Sequence, residues 1–265
     1  MKVKMSDLSG VKRELRPSRE QISIVIPALN EEAGIGKTIK SIPRLEIEDM
    51  GYQVQVLVVD NGSVDRTREL ARQAGAQVVS EAERGKGRAF RTGLRFVEGK
   101  FVFMLDGDGT YSAEYIPEML RLLKYNEVII GSRLLGRPQN GAMSRFNLIG
   151  NRLLSIMASI LFRKKVSDVC TGLWGFRAEI VKALNLKSTG FELEVELFSS
   201  LARRGCSIAE LPIHYSPRAT PPKLRAINDG MRIGRTLLIR ALWPYDTLWE
   251  SRGTEPQTLR RSDFS

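Results

Sequence analysis

The chain has 265 residues, 42% of them apolar, which is enough for one domain with a sizeable core. Two cysteines, Cys170 and Cys206, exclude a disulfide framework and make a reducing compartment the default, and a single histidine, His214, excludes a His/Cys zinc cluster. A formal net charge of +11 suits an anionic partner, either nucleic acid or an anionic lipid surface, or else describes a solvated basic surface.

Residues 1–20 are polar and lack an apolar core, so they read as a tail and not as a secretory signal. No apolar run approaches the ~20 residues of a membrane span, so no crossing is expected. The run Ile22-Ser23-Ile24-Val25-Ile26, ended by Pro27, predicts a buried strand. Asn30 before Glu31 and Glu32 predicts a helix N-cap, with the helix running to Ile42 and stopped by Pro43. A second strand, 54–59, ends at Asp60; Asn61-Gly62 is a turn, and Ser63 is placed to cap a helix over 64–74. A strand over 77–80, a helix over 86–97 and a strand over 101–105 follow. That last strand runs into Asp106-Gly107-Asp108-Gly109; Ser112 then caps a helix to Leu123, and 127–130 is a fifth strand. This strand-helix rhythm predicts an α/β fold with a mostly parallel sheet covered on both faces. Ligands of such sheets bind beyond the carboxyl ends of the strands, where Asn30, Asp60, Asp106, Asp108 and Arg133 should gather.

The second half is less regular. Residues 144–162 predict a long apolar helix interrupted by Asn147, Asn151 and Arg152, and 192–203 predict another. Residues 208–215 read as a strand whose Pro212 points to a sheet edge. Residues 224–243 form a basic amphipathic pattern, and the segment after Pro244 is a polar tail.

In an extended segment Asp106 and Asp108 face the same way, and their mutual repulsion opposes ionising both. A divalent cation removes that cost, and hard oxygen ligands fit Mg²⁺ or Mn²⁺ shared with substrate phosphates. A plain turn accounts for the same spacing. An EF-hand does not, because Thr110 and Pro117 stand where its oxygen ligands belong. Asp60 is placed to hydrogen-bond a ribose or base edge, or simply to start the Asn-Gly turn. Arg84-Gly85-Lys86-Gly87 lacks P-loop spacing, and no Gly-x-Gly-x-x-Gly follows the first strand, which argues against a dinucleotide dehydrogenase.

The ordered motifs Ile26-Pro27-Ala28-Leu29-Asn30-Glu31-Glu32, Val58-Val59-Asp60-Asn61-Gly62-Ser63, Gly85-Lys86-Gly87 and Leu105-Asp106-Gly107-Asp108 resemble family-2 glycosyltransferases of the GT-A fold. Gly131-Ser132-Arg133, the stretch from Asp168 to Arg177, and Pro212-Ile213-x-Tyr215-x-x-Arg218 are similar to the dolichol-phosphate hexose synthases and their polyprenyl-phosphate relatives. The resemblance covers residues 21–243 and implies a catalytic domain over 21–223, followed by an interfacial helix over 224–245 and a tail over 246–265. It also implies that Asp60 contacts the nucleoside and that Pro27, Ala28, Asn30, Glu31, Lys86 and Gly107 bind the nucleotide sugar. Asp106 and Asp108 would hold Mg²⁺ or Mn²⁺ against the diphosphate, while Arg133, Arg218 and Lys223 would face the acceptor phosphate. The chain departs from the mannose synthases at Thr110, where they carry a glutamine, and at Pro221-Pro222-Lys223, where relatives carry a Gly/Ser-Lys segment.

The implied reaction is attack of a polyprenyl (dolichyl) phosphate oxygen on the anomeric carbon of a nucleotide sugar, with inversion. Likeness of the Asp-Gly-Asp-Gly-Thr-Tyr segment to non-mannose relatives favours UDP-glucose or UDP-N-acetylglucosamine over GDP-mannose. Glu192, Glu194 and Glu196 are either a helix face or a base for a hydroxyl acceptor. Leu224, Ile227, Met231, Leu238 and Leu242, accompanied by Arg225, Arg232, Arg235, Arg240 and Trp243, form a stripe that packs on the core or touches the inner face of the cell membrane from the cytoplasm. The rival readings are an enzyme with a soluble anionic acceptor such as a phosphoglycerate, an inactive sugar-nucleotide sensor, and a nucleic-acid-binding module. Both aspartates count against the sensor. The dispersed basic residues, without interleaved aromatics, count against nucleic acid.

Overall fold

The computed structural model describes residues 20–136, 138–220 and 226–243. Leu224, Arg225, Lys223 and the two expected tails, Glu20 apart, lie outside the described residues. β1 (Glu20–Ala28) and β2 (Tyr52–Asp60) pair in parallel along their whole length, ending with Ala28 opposite Asp60. β3 (Gln77–Ser80) extends the sheet beyond β2, and β4 (Phe101–Leu105) pairs with the other side of β1, both parallel. With β5 (Val128–Ser132), β6 (Leu173–Arg177) and β7 (Ile208–Pro212), the seven-stranded order is β3-β2-β1-β4-β6-β5-β7. β6 is antiparallel to both β4 and β5, while β7 is parallel to β5 at the edge. The carboxyl ends of β1, β2, β4 and β5 and the amino end of β6 therefore share one rim.

The strands read as continuous apolar runs because both faces are covered. Ile22, Ile24 and Ile26 pack on one side with α1 (Ile35–Lys40), α2 (Arg44–Asp49), α3 (Thr67–Gln73) and α5 (Ile116–Leu123). Val25, Leu57 and Met104 face α4 (Lys86–Leu94), α6 (Arg145–Phe162), α7 (Ala178–Lys182), α8 (Leu193–Arg203) and α9 (Ala226–Leu242). Residues 193–201 of α8 are all buried.

Two expected helix caps do other work. Asn30 adopts a left-handed conformation (φ 50°), which asparagine tolerates, and its Oδ1 accepts from the Val64 N–H. The Ser63 hydroxyl in turn accepts from the Asn30 N–H, so each polar side chain stitches the neighbouring loop and leaves its own helix uncapped. The helices start later, at Ile35 and Thr67. Ser112 and Ser144 do cap, accepting from Glu114 and Asn147. The strand expected over 208–215 ends at Pro212, and Tyr215 makes only isolated bridges to Tyr111 and Pro138.

Helix α9 buries Ile233 and Leu237 and turns Ile227, Met231, Leu238 and Leu242 outward, so the expected stripe does not pack on the core. It is tied to α8 by Arg232 to Glu192 (3.0 Å) and Arg240 to Glu196 (3.1 Å). Alongside it, α6 exposes Phe146, Ile149, Leu153, Ile156 and Ile160, spaced by three and four residues along one face. Among the described residues no helix is long and apolar enough to cross a membrane.

Candidate active site

A cavity of about 1000 Å³ opens on the rim. Pro27 and Ala28 line it from the end of β1, Asn30 and Glu31 from the β1–α1 loop, Lys86 from the start of α4, and Asp106, Gly107 and Asp108 from just after β4. Arg133 and Arg218 line the same cavity. Asp60 does not line it. Its buried carboxylate accepts from the Ser63 N–H and pairs with Arg68 (3.4 Å), while the adjacent Asn61 reaches the cavity wall.

The Asp106–Asp108 segment is fixed by close packing. A Cβ on Gly172 would meet Asp106 Oδ2 at 2.1 Å, and one on Gly34 would meet the Asp108 carbonyl carbon at 2.3 Å. Only glycine leaves room for those approaches. Thr110 donates from its N–H (3.0 Å) and hydroxyl (2.6 Å) to Asp108 Oδ1, and thereby orients that carboxylate.

Two chains of ion pairs meet here. Lys86 Nζ lies 2.6 Å from Asp106 Oδ1 and 2.5 Å from Glu194 Oε1. Arg218 lies 2.7 Å from Glu31 and 3.3 Å from Asp108. Each chain sets two carboxylates against one cation, so together they carry a formal excess of two negative charges. Burial opposes the charge on Lys86, but Asp106 and Glu194 outweigh it and hold the ammonium pKa above its ordinary value. Burial, reinforced by Asp106, pushes the Glu194 carboxyl above its usual range against the pull of Lys86.

Arg133 is held more rigidly than a surface cation. Its Nε and Nη2 donate to the two oxygens of Asp168 (both 2.8 Å), its N–H donates to the same carboxylate (3.0 Å), and Nη2 also reaches the Cys170 carbonyl. The rings of Tyr111 and Tyr215 lie 6.0 and 5.2 Å from its guanidinium carbon. Burial pushes the Cys170 thiol up to about 12, which leaves it protonated and unsuited to nucleophilic work.

The three acids at the start of α8, Glu192 at its N-cap among them, divide. Glu192 accepts from the Thr189 and Gly190 N–H groups, and Glu196 from those of Lys187 and Ser188. Both organise the loop 187–190, whose Thr189 carbonyl accepts from Gly87 N–H. Glu194 alone of the three lines the cavity. The sequence pattern grouped these acids on one helix and offered no sign that Lys86, 108 residues away, would meet one of them.

Among the described residues no cluster of three or more His, Cys, Asp or Glu side chains forms a metal cage. Asp106 and Asp108 supply two hard oxygen groups at the cavity wall. That donor set fits Mg²⁺ or Mn²⁺ completed by phosphate and water, since such ions keep several non-protein ligands.

Residues 23–184 match the model of glycosyl transferase family 2. Glycosyltransferase AglJ of Haloferax volcanii is 36% identical over 230 residues, covering 85% of this chain and 73% of that protein. A dolichyl-phosphate hexose transferase of the same organism is 33% identical over 221 residues, 83% of this chain and 93% of the relative. The crystal structure of glucosyl-3-phosphoglycerate synthase from Mycobacterium tuberculosis with Mn²⁺, uridine diphosphate and phosphoglyceric acid superposes with a TM-score of 0.64 at 24% identity, over 84% of this chain and 78% of that one. The sheet order, the rim it creates and these likenesses lead to one conclusion: the chain has the GT-A fold and belongs to glycosyl transferase family 2.

Proposed function

We propose that the protein is an inverting hexosyltransferase that moves a sugar from a nucleotide donor to polyprenyl or dolichyl phosphate at the cytoplasmic face of a membrane. The observation that carries this reading is the extent of the cavity. Its lining joins Pro27 and Asn61, Asp106, Asp108, Arg133 and Arg218 with Phe146, Asn147 and Asn151 of α6 and Arg232 of α9. The outer faces of those same two helices expose Ile149, Leu153, Ile156 and Met231, and Trp243, just after α9, is exposed as well. A phosphate in the cavity and an isoprenoid tail along these helices is the arrangement a lipid phosphate requires. The dolichyl-phosphate hexose transferase at 33% identity supports the acceptor class, and the uridine diphosphate held by the structural neighbour supports a UDP-sugar.

In this reading Asp106 and Asp108 hold the divalent cation, which offsets the charge of the leaving diphosphate. The end of β1 and the loop after it, with Pro27, Ala28, Asn30 and Glu31, receive the nucleotide, with Asp60 fixing the adjoining turn and Lys86 and Gly107 beside the diphosphate. The acceptor phosphate, with a second pKa of about 6, is already anionic near neutrality and needs no general base. His214 fits that picture: its backbone N–H is bonded to Tyr115 and the residue is not among those lining the cavity. Arg133, preset by Asp168, and Arg218, on a chain entering from beyond β7, supply the positive charge that receives the incoming phosphate. One displacement on an α-linked donor gives a β-linked product. We extend the same reading to a catalytic unit over 21–223, with Lys223 at the acceptor, and an interfacial helix after it.

The test is a panel. Purified protein with Mg²⁺ or Mn²⁺ is given UDP-glucose, UDP-N-acetylglucosamine or GDP-mannose, each with dolichyl phosphate in detergent or with 3-phosphoglycerate. Sugar recovered in the lipid phase is expected. Transfer to phosphoglycerate alone moves the enzyme to a soluble acceptor, and no transfer from any donor refutes the proposal.

A further inference from the structure

Lys86 Nζ lies 2.6 Å from Asp106 Oδ1, so it holds one of the two oxygens of a carboxylate proposed to bind a divalent cation. The two cannot share that oxygen without strong repulsion. A divalent ion on Asp106 repels the ammonium and weakens the hold of that carboxylate on it, yet the ammonium sits on a side chain only 12% exposed. A buried ammonium without an anionic partner is costly. Glu194 removes that cost. Its Oε1 already lies 2.5 Å from the same Nζ, and its side chain is 5% exposed, so it offers a second anchor that stays in place when the first is lost.

The geometry points to Glu194 as a positioning residue that retains Lys86 at the donor site while the divalent cation displaces it from Asp106. Lys86 thereby changes its outer partner from a protein carboxylate to the diphosphate of the incoming nucleotide sugar. Glu194 touches neither cation nor donor in this scheme and acts only through Lys86. The pair Arg218 and Glu31 has the same form around Asp108: Arg218 contacts Asp108 at 3.3 Å and keeps Glu31 at 2.7 Å as its second partner. The α8 backbone fixes Glu194 within a helix that is buried on all sides, so the anchor does not travel with the ligand. This inference rests on the reading of Asp106 and Asp108 as the cation site.

Mn²⁺ binding in the presence of saturating UDP, followed by the loss of the free-ion EPR signal, tests it without turnover. Glu194→Gln leaves Lys86 with Asp106 as its remaining anion, and Mn²⁺ affinity should fall by about tenfold or more, the scale of one charge at close range. The double variant K86M/E194Q removes the competing ammonium and should restore at least wild-type affinity. Unchanged affinity in E194Q, with binding lost in D108N, overturns the role of Glu194 and leaves the cation site standing. Equal weakening in E194Q and K86M/E194Q also overturns it, because the effect would then not pass through Lys86. Wild-type binding by D108N instead removes the cation site itself, and the inference with it. If E194Q does not fold, Glu194→Asp, which draws the carboxylate back by one methylene, should show the same loss on a smaller scale, and unchanged affinity there overturns the proposal equally.

Discussion

Replacing Asp168 by asparagine tests whether Arg133 is a preset cation or an ordinary one. The Asp168 carboxylate is fully buried, and Arg133 is 6% exposed. Asparagine keeps the shape but loses the charge and turns an N–H donor towards a guanidinium or a backbone N–H. Breaking a buried pair by removing one partner costs about 3–5 kcal/mol. The flanking Tyr111 and Tyr215 rings face the guanidinium with or without the Asp168 charge, so they do not offset the loss. It is a large part of the roughly 5–15 kcal/mol that holds a domain together. With a urea dependence of about 3 kcal/mol per molar for a chain of this size, the midpoint should fall by about 1–1.7 M. Tryptophan fluorescence reports the transition through Trp174, which is wholly buried and donates to the Thr171 carbonyl beside the pair. The double variant R133M/D168N, which removes the stranded charge, should recover part of the loss. A D168N midpoint within about 0.2 M of wild type would refute the reasoning, because the pair would then contribute no more than a surface bridge.

Other expectations follow from the same contacts. Arg218→Ala should raise the KM for lipid phosphate more than that for the nucleotide sugar; equal changes in steady-state kinetics would place Arg218 away from the acceptor. L153E/I156E on the exposed face of α6 should weaken sedimentation with anionic vesicles by at least about tenfold while sparing transfer to a short-chain, water-soluble polyprenyl phosphate. Burial pushes the Glu192 carboxyl up, but backbone N–H groups, including those of Gly190 and Thr189, together with Arg232, hold its pKa below the usual carboxylate value. Its contribution is therefore present above the unfolded value of about 4.3 and lost as pH falls through the lower folded value, so the stability gap between wild type and E192Q should narrow below about pH 4 in urea titrations.

The rim was legible in the sequence because its members end strands in a strand-helix rhythm, and parallel pairing aligns those ends. Ala28 and Asp60 are direct register partners, which is why motifs 32 residues apart meet. β6 was not legible. Leu173–Arg177 is five residues long and interrupted by Gly175, whose missing side chain lets it pass the Phe103 ring; a Cβ there would come within 2.8 Å. Its identity as a strand comes from pairing with β4 and β5, not from a local pattern. The apolar stripe of α9 could be read from spacing, whereas the side it faces could not, since periodicity locates a stripe without naming its neighbour. Asn30 and Ser63 misled for a related reason: both carry groups suited to capping, and the loop that claimed them lies more than 30 residues away.

Glu192 and Glu196 each hold two things at once, the loop 187–190 on one side and an arginine of α9 on the other. Anyone exchanging α9 for a different helix therefore cannot cut cleanly between α8 and α9. A chimera that omits Arg232 and Arg240 would leave two buried acids bereft of their counter-charges, and the backbone beneath Gly85 and Gly87 would loosen with them. The exchangeable module begins at α8, and a successful transplant must carry the acids and the arginines together.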